Sequence, residues 1–330
     1  MKIRAHHYTL QPGPDRWRAA HSPRSGALIE VTFEDAAVGY ADLHPWTEFG
    51  HAPLEEHLAS LSKGQPTHLA NLALRHARTD AAARCAGVSL FEGLPEVRSH
   101  ALFTEWVSAP LDVFEQCDAD GYEVAKLKIR RDPARESDAL NALADIPLRW
   151  RLDANGAFGT GSNKTEAWLS KLSPSIRQNI EFLEDPCAYN PDKWSELSIH
   201  AKLPLALDWE LPPFSAAPWP GAQILVIKPA SQDAFSLALS AAHAGMEIVV
   251  THSMDHPLGQ SVALWTAMRL RQRHGDLVRN GGLQATGLYA ADTFSEQIKT
   301  RGPQTIPPPG TGFGFDDELA ALRWSDLARE

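Results

Sequence analysis

Val124-Ala125-Lys126-Leu127-Lys128-Ile129 reads as a β-strand in which apolar residues alternate with two lysines. A strand puts every second side chain on one face, so Lys126 and Lys128 point one way and Leu127 the other. Two ammonium groups on one buried face repel each other and cost desolvation energy. A fold keeps such a pair when anions, or a chemical task, lie opposite.

Four later stretches supply the anions and a third cation. Arg149-Trp150-Arg151-Leu152-Asp153-Ala154-Asn155 ends an apolar run at Asp153, and Ile180-Glu181-Phe182-Leu183-Glu184 ends one at Glu184. Pro204-Leu205-Ala206-Leu207-Asp208 ends at Asp208, and Ile224-Leu225-Val226-Ile227-Lys228 at Lys228. From Lys128 these charged positions follow at intervals of 25, 31, 24 and 20 residues. Each interval is the length of one strand-plus-helix unit. In a (β/α)8 barrel the C-terminal strand ends converge on one mouth, where active sites are built.

Lys-x-Lys, Asp-x-Asn, Glu-Asp-Pro, Asp and Lys-Pro, in that order, resemble the enolase superfamily in its muconate-lactonizing subgroup. The resemblance covers nearly the whole chain. It implies a modified (β/α)7β barrel with an α+β capping domain. The expected division is 1–97 for the capping domain, 98–289 for the barrel, and 290–330 for a C-terminal segment that returns to the cap.

Composition sets outer limits. The 330 residues can hold a barrel of about 250 residues and a smaller domain. A hydrophobic content of 43% and a charged content of 22% suit a globular protein. The formal charge of −10 argues against a nucleic-acid or anionic-membrane partner. Cys85, Cys117 and Cys187 form no metal clip and no even disulfide set, which fits a reducing cytoplasm. Met1 to His7 lacks a signal-peptide pattern, and no apolar run is long enough to span a bilayer.

Residues 1–11, 27–33 and 39–43 read as strands of a meander. Residues 12–26, rich in Pro, Gly and Arg, correspond by resemblance to a mobile loop that closes over the substrate. Arg16, Arg18 and Arg24 are its candidate carboxylate partners. Trp46 and Phe49 lie in a second stretch that the resemblance directs toward the barrel mouth. Helices are expected over Pro53–Leu61 and Thr67–Ala86, the second capped by Gly87. Barrel strands are expected near 99–104, 124–129, 149–153, 180–184, 204–208, 223–228, 247–251 and, weakly marked, 277–281. Ile306 to Phe315 is too rich in Pro and Gly for a regular element.

The resemblance also assigns chemistry. Asp153, Glu184 and Asp208 are the expected metal ligands. Three hard oxygen donors favour Mg²⁺, with Mn²⁺ as the alternative. Glu210 shares a strand face with Asp208 and competes for the third position. Asp185, where relatives often carry Glu, points away from the mouth by strand alternation. Enolase-superfamily sites pair a Lys or His base with Mg²⁺. Lys128 is the implied base, Lys126 its electrostatic neighbour that helps lower its pKa, and Lys228 the partner across the cavity. Ser253, Asn155 and Trp46 are the expected substrate-binding residues. His252 and His256 are expected to cap or hydrogen-bond rather than catalyse.

The implied reaction is dehydration of a succinyl-hydroxycyclohexadiene carboxylate to o-succinylbenzoate, a step toward menaquinone. Racemisation of N-succinyl amino acids, or dipeptide epimerisation, would use the same residues. A non-catalytic metal- or acid-binding barrel is the alternative of another class. The expected partner is a small carboxylate; monomer and homo-oligomer are both open.

Overall fold

The computed structural model of the chain describes residues 1–129, 132–159, 162–208 and 219–327. Two sheets organise it. The first is a meander of β1 (Lys2–Leu10), β2 (Arg24–Thr32) and β3 (Val38–Leu43). Its fourth strand, β13 (Ser325–Asp326), comes from the far end of the chain and pairs antiparallel with β1. Helices α1 (Leu54–Ser62) and α2 (His68–Ala86) cover its inner face. The Thr67 hydroxyl caps α2, and Gly87 ends it in the left-handed conformation at φ 68°. Helix α2 packs so close to β3 that a Cβ on Gly39 would lie 2.0 Å from the Ala77 carbonyl oxygen. Glycine is required there.

The second sheet is parallel and runs in chain order: β4 (Ala101–Phe103), β5 (Val124–Lys128), β6 (Arg149–Asp153), β7 (Ile180–Glu184), β8 (Leu205–Leu207), β9 (Ile224–Ile227) and β10 (Glu247–Val250). Helices follow most strands: α3 (Leu111–Ala119), α4 (Pro133–Ala142), α5 (Ser162–Leu169), α6 (Pro174–Asn179), α7 (Pro191–Ala201), α8 (Ala234–His243) and α9 (Pro257–His274). The strands are sheathed on both sides, so their side chains are almost all buried. The result is a modified (β/α) barrel with flanking α+β regions.

The eighth staves differ from expectation. Residues 277–281 form no ladder. The barrel closes instead through single bridges, Ile248 to Val278, Thr251 to Gly282 and Ser99 to Gly281. Gly281 and Gly282 carry no side chain to mark a strand pattern, which is why the sequence signal was weak.

The tail is ordered by polar contacts as well as by packing. A hairpin of β11 (Lys299–Arg301) and β12 (Gln304–Ile306) precedes an irregular run. The Asp80 carboxylate, on α2, accepts from the backbone N–H of Phe313 at 2.7 Å and of Tyr40 at 2.9 Å. Arg84 reaches Asp80 at 2.6 Å and Asp316 of α10 (Asp316–Ala321) at 2.5 Å. Among the described residues no helix is long and apolar enough to cross a membrane.

A buried acid pair joins the first sheet to the barrel. A Cβ on Gly259, in the first turn of α9, would lie 2.7 Å from both Asp42 Oδ2 and Asp255 Oδ2. Asp42 also accepts from the Tyr8 hydroxyl at 2.6 Å and from the His256 N–H at 3.1 Å. Burial pushes Asp255 up to about 7, and burial together with Asp255 pushes Asp42 up as well. The unfolded chain releases the Asp255 proton near pH 4. Between about pH 4 and about pH 7 the folded state therefore binds more protons, and stability falls as pH rises through that window. Asp255→Asn keeps the shape and removes the titration. It is expected to raise the melting temperature at pH 8 by about 2 °C or more, and to change it little at pH 4. Melting curves with the same pH dependence in parent and variant would contradict this.

Candidate active site

The site lies in a cavity of about 690 Å³ at the C-terminal ends of the barrel strands, under the first sheet. Register brings its charges to one level. Lys128 pairs with Asp153, and Asp153 with Glu184, across neighbouring strands. Lys126 Nζ donates to Glu184 Oε1 and Oε2, both at 2.7 Å, and lies 2.8 Å from Asp153 Oδ2. Lys128 Nζ donates to the same Asp153 oxygen at 2.6 Å. Across the cavity, Lys228 Nζ donates to Asp208 Oδ2.

Burial sets the electrostatics. It would raise Asp153, but Lys126 and Lys128 overcome it and hold that carboxyl well below the usual range. Glu184 goes the other way. Burial and the nearby Asp153 and Asp208 push it up to about 8, against the pull of Lys126. Burial would lower Lys126 and Lys228; Asp153 and Glu184 raise the first, and Asp208 the second.

Asp185 requires a correction. Strand alternation predicts that it faces away from the mouth. In the structure its φ is +42°, so the chain leaves the strand pattern one residue after Glu184. Its carboxylate accepts from the Asp208 N–H at 3.2 Å. Glu184, Asp185 and Asp208 present oxygens within 4.8 Å of one another, all buried. Left-handed backbone recurs at the mouth, at Asn155 (φ +42°) and Met254 (φ +52°). Such conformations persist only where surrounding contacts enforce them. None of this is visible in an apolar-run pattern. Glu210 lies outside the described residues.

The cluster suits a hard divalent cation. Glu184, Asp185 and Asp208 form the close group of oxygens, and Asp153 stands beside it, held by Lys126 and Lys128. Among the described residues, Asp208 Oδ1 is buried and has no hydrogen-bond partner. A buried anionic oxygen without a partner is costly unless a cation completes it.

The residues expected to bind substrate all line the cavity. Asn155 donates its backbone N–H to Asp153 Oδ1 at 3.2 Å, steadying that carboxylate. Trp46 donates its indole N–H to the Ser253 carbonyl at 2.8 Å, and among the described residues the buried Ser253 hydroxyl has no partner. Phe49 stacks on Trp46 with ring centroids 5.2 Å apart.

Both histidines of the loop after β10 are occupied. His252 Nδ1 accepts from the Met254 N–H at 2.9 Å, and its Nε2 lies 3.3 Å from the Gln284 carbonyl. His256 caps α9, its Nδ1 accepting from the Leu258 N–H at 3.1 Å.

Of the three loop arginines, Arg24 reaches the cavity. It belongs to β2, not to the preceding loop, and its guanidinium lies 3.8 Å from the Trp46 ring centre. Arg18 turns instead to Asp15 and Cys117, and Arg16 lies over the Trp17 ring. The loop itself is tied down. Gly13 and Ala20 donate to the Leu288 carbonyl, and Thr104 and Glu105 donate to that of Trp17. The sequence also passed over Gln232, whose Oε1 accepts from the Lys228 N–H at 2.6 Å.

Comparison with known proteins agrees with the fold. The family of o-succinylbenzoate synthase N-terminal domains matches residues 3–83. An o-succinylbenzoate synthase of Bdellovibrio bacteriovorus is 32% identical over 329 residues, covering 99% of each chain. One of Klebsiella pneumoniae is 29% identical over 269 residues, covering 73% of this chain and 79% of its own. Among solved structures, an enolase-superfamily member from Roseovarius nubinhibens superposes with a TM-score of 0.80 at 18% identity, over 99% of this chain and 98% of its own.

Proposed function

We propose, for a chain that belongs to the o-succinylbenzoate synthase family of the enolase superfamily, that it dehydrates 2-succinyl-6-hydroxy-2,4-cyclohexadiene-1-carboxylate to o-succinylbenzoate. The reaction is a step of menaquinone biosynthesis and is placed in the cytoplasm. The observation that carries this reading is the likeness to an o-succinylbenzoate synthase over 99% of the chain. The lysines on opposite sides of the acid cluster, Lys128 on Asp153 and Lys228 on Asp208, supply the groups it needs.

Lys128, in its neutral form, takes the proton from the carbon α to the ring carboxylate. The C–H electron pair moves into the carboxylate as an enediolate. Collapse of that enediolate expels the β-hydroxyl, which takes a proton from the Lys128 ammonium and leaves as water. The ring becomes aromatic, and this drives the step. Lys228 stabilises the negative charge from the other side, and Lys126 adds a fixed positive field beside the base. Asp153, Glu184 and Asp208 would hold Mg²⁺. When bound, that ion supplies charge stabilisation at the substrate carboxylate.

A second reading uses the same two lysines. Racemisation of an N-succinyl amino acid needs an acid–base group on each face of the α-carbon, and Lys128 and Lys228 stand on two sides of the cavity. The deciding experiment supplies the Mg²⁺-loaded protein with each substrate in D₂O. Formation of o-succinylbenzoate is the expected result. Efficient α-deuteration of N-succinyl amino acids without any dehydration would replace this reading by the second.

A further inference from the structure

His100 precedes β4, faces the cavity, and has no part in the chemistry above. Behind it stands Arg151, completely buried on β6. Arg151 donates to Glu181 Oε2 at 3.0 Å, to the Asn280 carbonyl at 2.7 Å, and through the same Nη1 to His100 Nδ1 at 2.9 Å. A guanidinium has donors and no acceptor. His100 Nδ1 must therefore carry the lone pair, and the ring proton resides on Nε2. Burial, with Arg151 and Lys126 nearby, holds the ring well below its usual pKa, so it stays neutral. His100 is thus no base, but a permanently set N–H donor.

That donor has somewhere to go. Among the described residues nothing accepts from Nε2. The ring edge lies against a bare stretch of backbone: a Cβ on Gly282 would sit 3.0 Å from both Nε2 and Cε1. Gly282, Thr251 and Ser253 continue the same wall of the cavity. The Thr251 hydroxyl is taken by the His252 carbonyl, whereas the buried Ser253 hydroxyl has no partner among the described residues. This wall therefore offers neutral donors. The wall of β5 to β9 offers the lysines and carboxylates, which draw the reacting carboxylate.

We propose that His100 is a specificity-determining residue whose Nε2–H donates a hydrogen bond to an oxygen of the substrate's non-reacting succinyl arm. The assignment rests on the functional reading above for the identity of that arm. Arg151 acts through His100 as a positioning residue, fixing the tautomer that makes Nε2 a donor.

Two substitutions separate the roles. His100→Asn places an acceptor near the Nδ1 position, so Arg151 keeps a partner while the cavity donor is lost. His100→Gln places an amide N–H near the Nε2 position, so the donor is kept. Affinity for o-succinylbenzoate and for benzoate is measured by calorimetry, with melting temperatures alongside. His100→Asn is expected to weaken o-succinylbenzoate about tenfold, the worth of one hydrogen bond to a polar or charged group. Benzoate, which lacks the arm, should bind as to the parent. His100→Gln should recover most of the loss even if it melts lower. Undiminished o-succinylbenzoate binding by His100→Asn, equal losses for both ligands, or no recovery in His100→Gln would each overturn the proposal. If the parent racemises N-succinyl amino acids and ignores o-succinylbenzoate, the functional reading fails separately. The same variants are then scored on KM for N-succinyl amino acids, which carry the same arm. A tenfold rise with recovery supports His100 there, and its absence refutes it.

Discussion

Lys128→Ala is expected to reduce turnover by about 10⁴-fold, the upper end for a positioned general base. Lys128→Arg should be as inactive, because a guanidinium does not deprotonate in a protein and cannot serve as a base. Lys228 behaves differently if the reaction is dehydration. Proton removal and hydroxide departure need one proton-transfer group, and the second lysine contributes only charge. Lys228→Ala should then lose about 10²–10³-fold, as when one donor to a developing oxyanion is removed. Lys228→Arg keeps a cation beside Asp208 and should retain measurable dehydration. In racemisation each lysine must act as acid and base in turn, so both Arg variants would be dead. Single-turnover dehydration assays of the four variants, with deuterium wash-in on N-succinyl amino acids, distinguish the two. Equal and complete loss in Lys228→Arg and Lys128→Arg would remove the asymmetry on which dehydration rests.

The second large effect concerns the carboxylates. Chelation is expected to abolish turnover, and Mg²⁺ or Mn²⁺ to restore it. Glu184→Gln and Asp208→Asn should each weaken Mg²⁺ binding in calorimetry by about tenfold or more, because each removes a charged oxygen from a buried site. Asp153→Asn should do the same. It should also leave Lys126 and Lys128 without their shared partner, since both bond Asp153 Oδ2. Asp185→Asn is the informative comparison. Its carboxylate braces the Asp208 N–H, so a modest loss of affinity fits a brace and a loss as large as that of Asp153→Asn makes it a ligand. Full turnover in metal-free protein would refute the whole assignment.

The charged strand ends were legible because barrel chemistry has a linear rhythm. Each parallel strand is buried on both faces and needs an apolar run. A charge closing that run stands out against it, as at Asp153, Glu184, Asp208 and Lys228. The two lysines of β5 were legible for the same reason, since a period of two puts both on one face. Helix α2 and its Gly87 stop followed from local propensity and capping. These features depend on neighbours in sequence, and one chain suffices to read them.

Other features depend on residues far apart. Asp185 joins the acid cluster through a left-handed φ that the fold imposes, so alternation misplaced it. The barrel closes at Gly281 and Gly282 through bridges to Ser99 and Thr251, with no side-chain pattern to announce a strand. Arg24 enters the cavity, whereas Arg18 turns away, because β2 begins at Arg24. The proton on His100 is set by an arginine 51 residues away, against a glycine 182 residues away. Strand periodicity thus marked the barrel strands and their charged rim, and capping marked helix α2. Backbone conformation at the strand ends, closure of the barrel and the direction of each hydrogen bond arise only when distant segments pack, because each is the cheapest way to satisfy buried polar groups once water has been excluded.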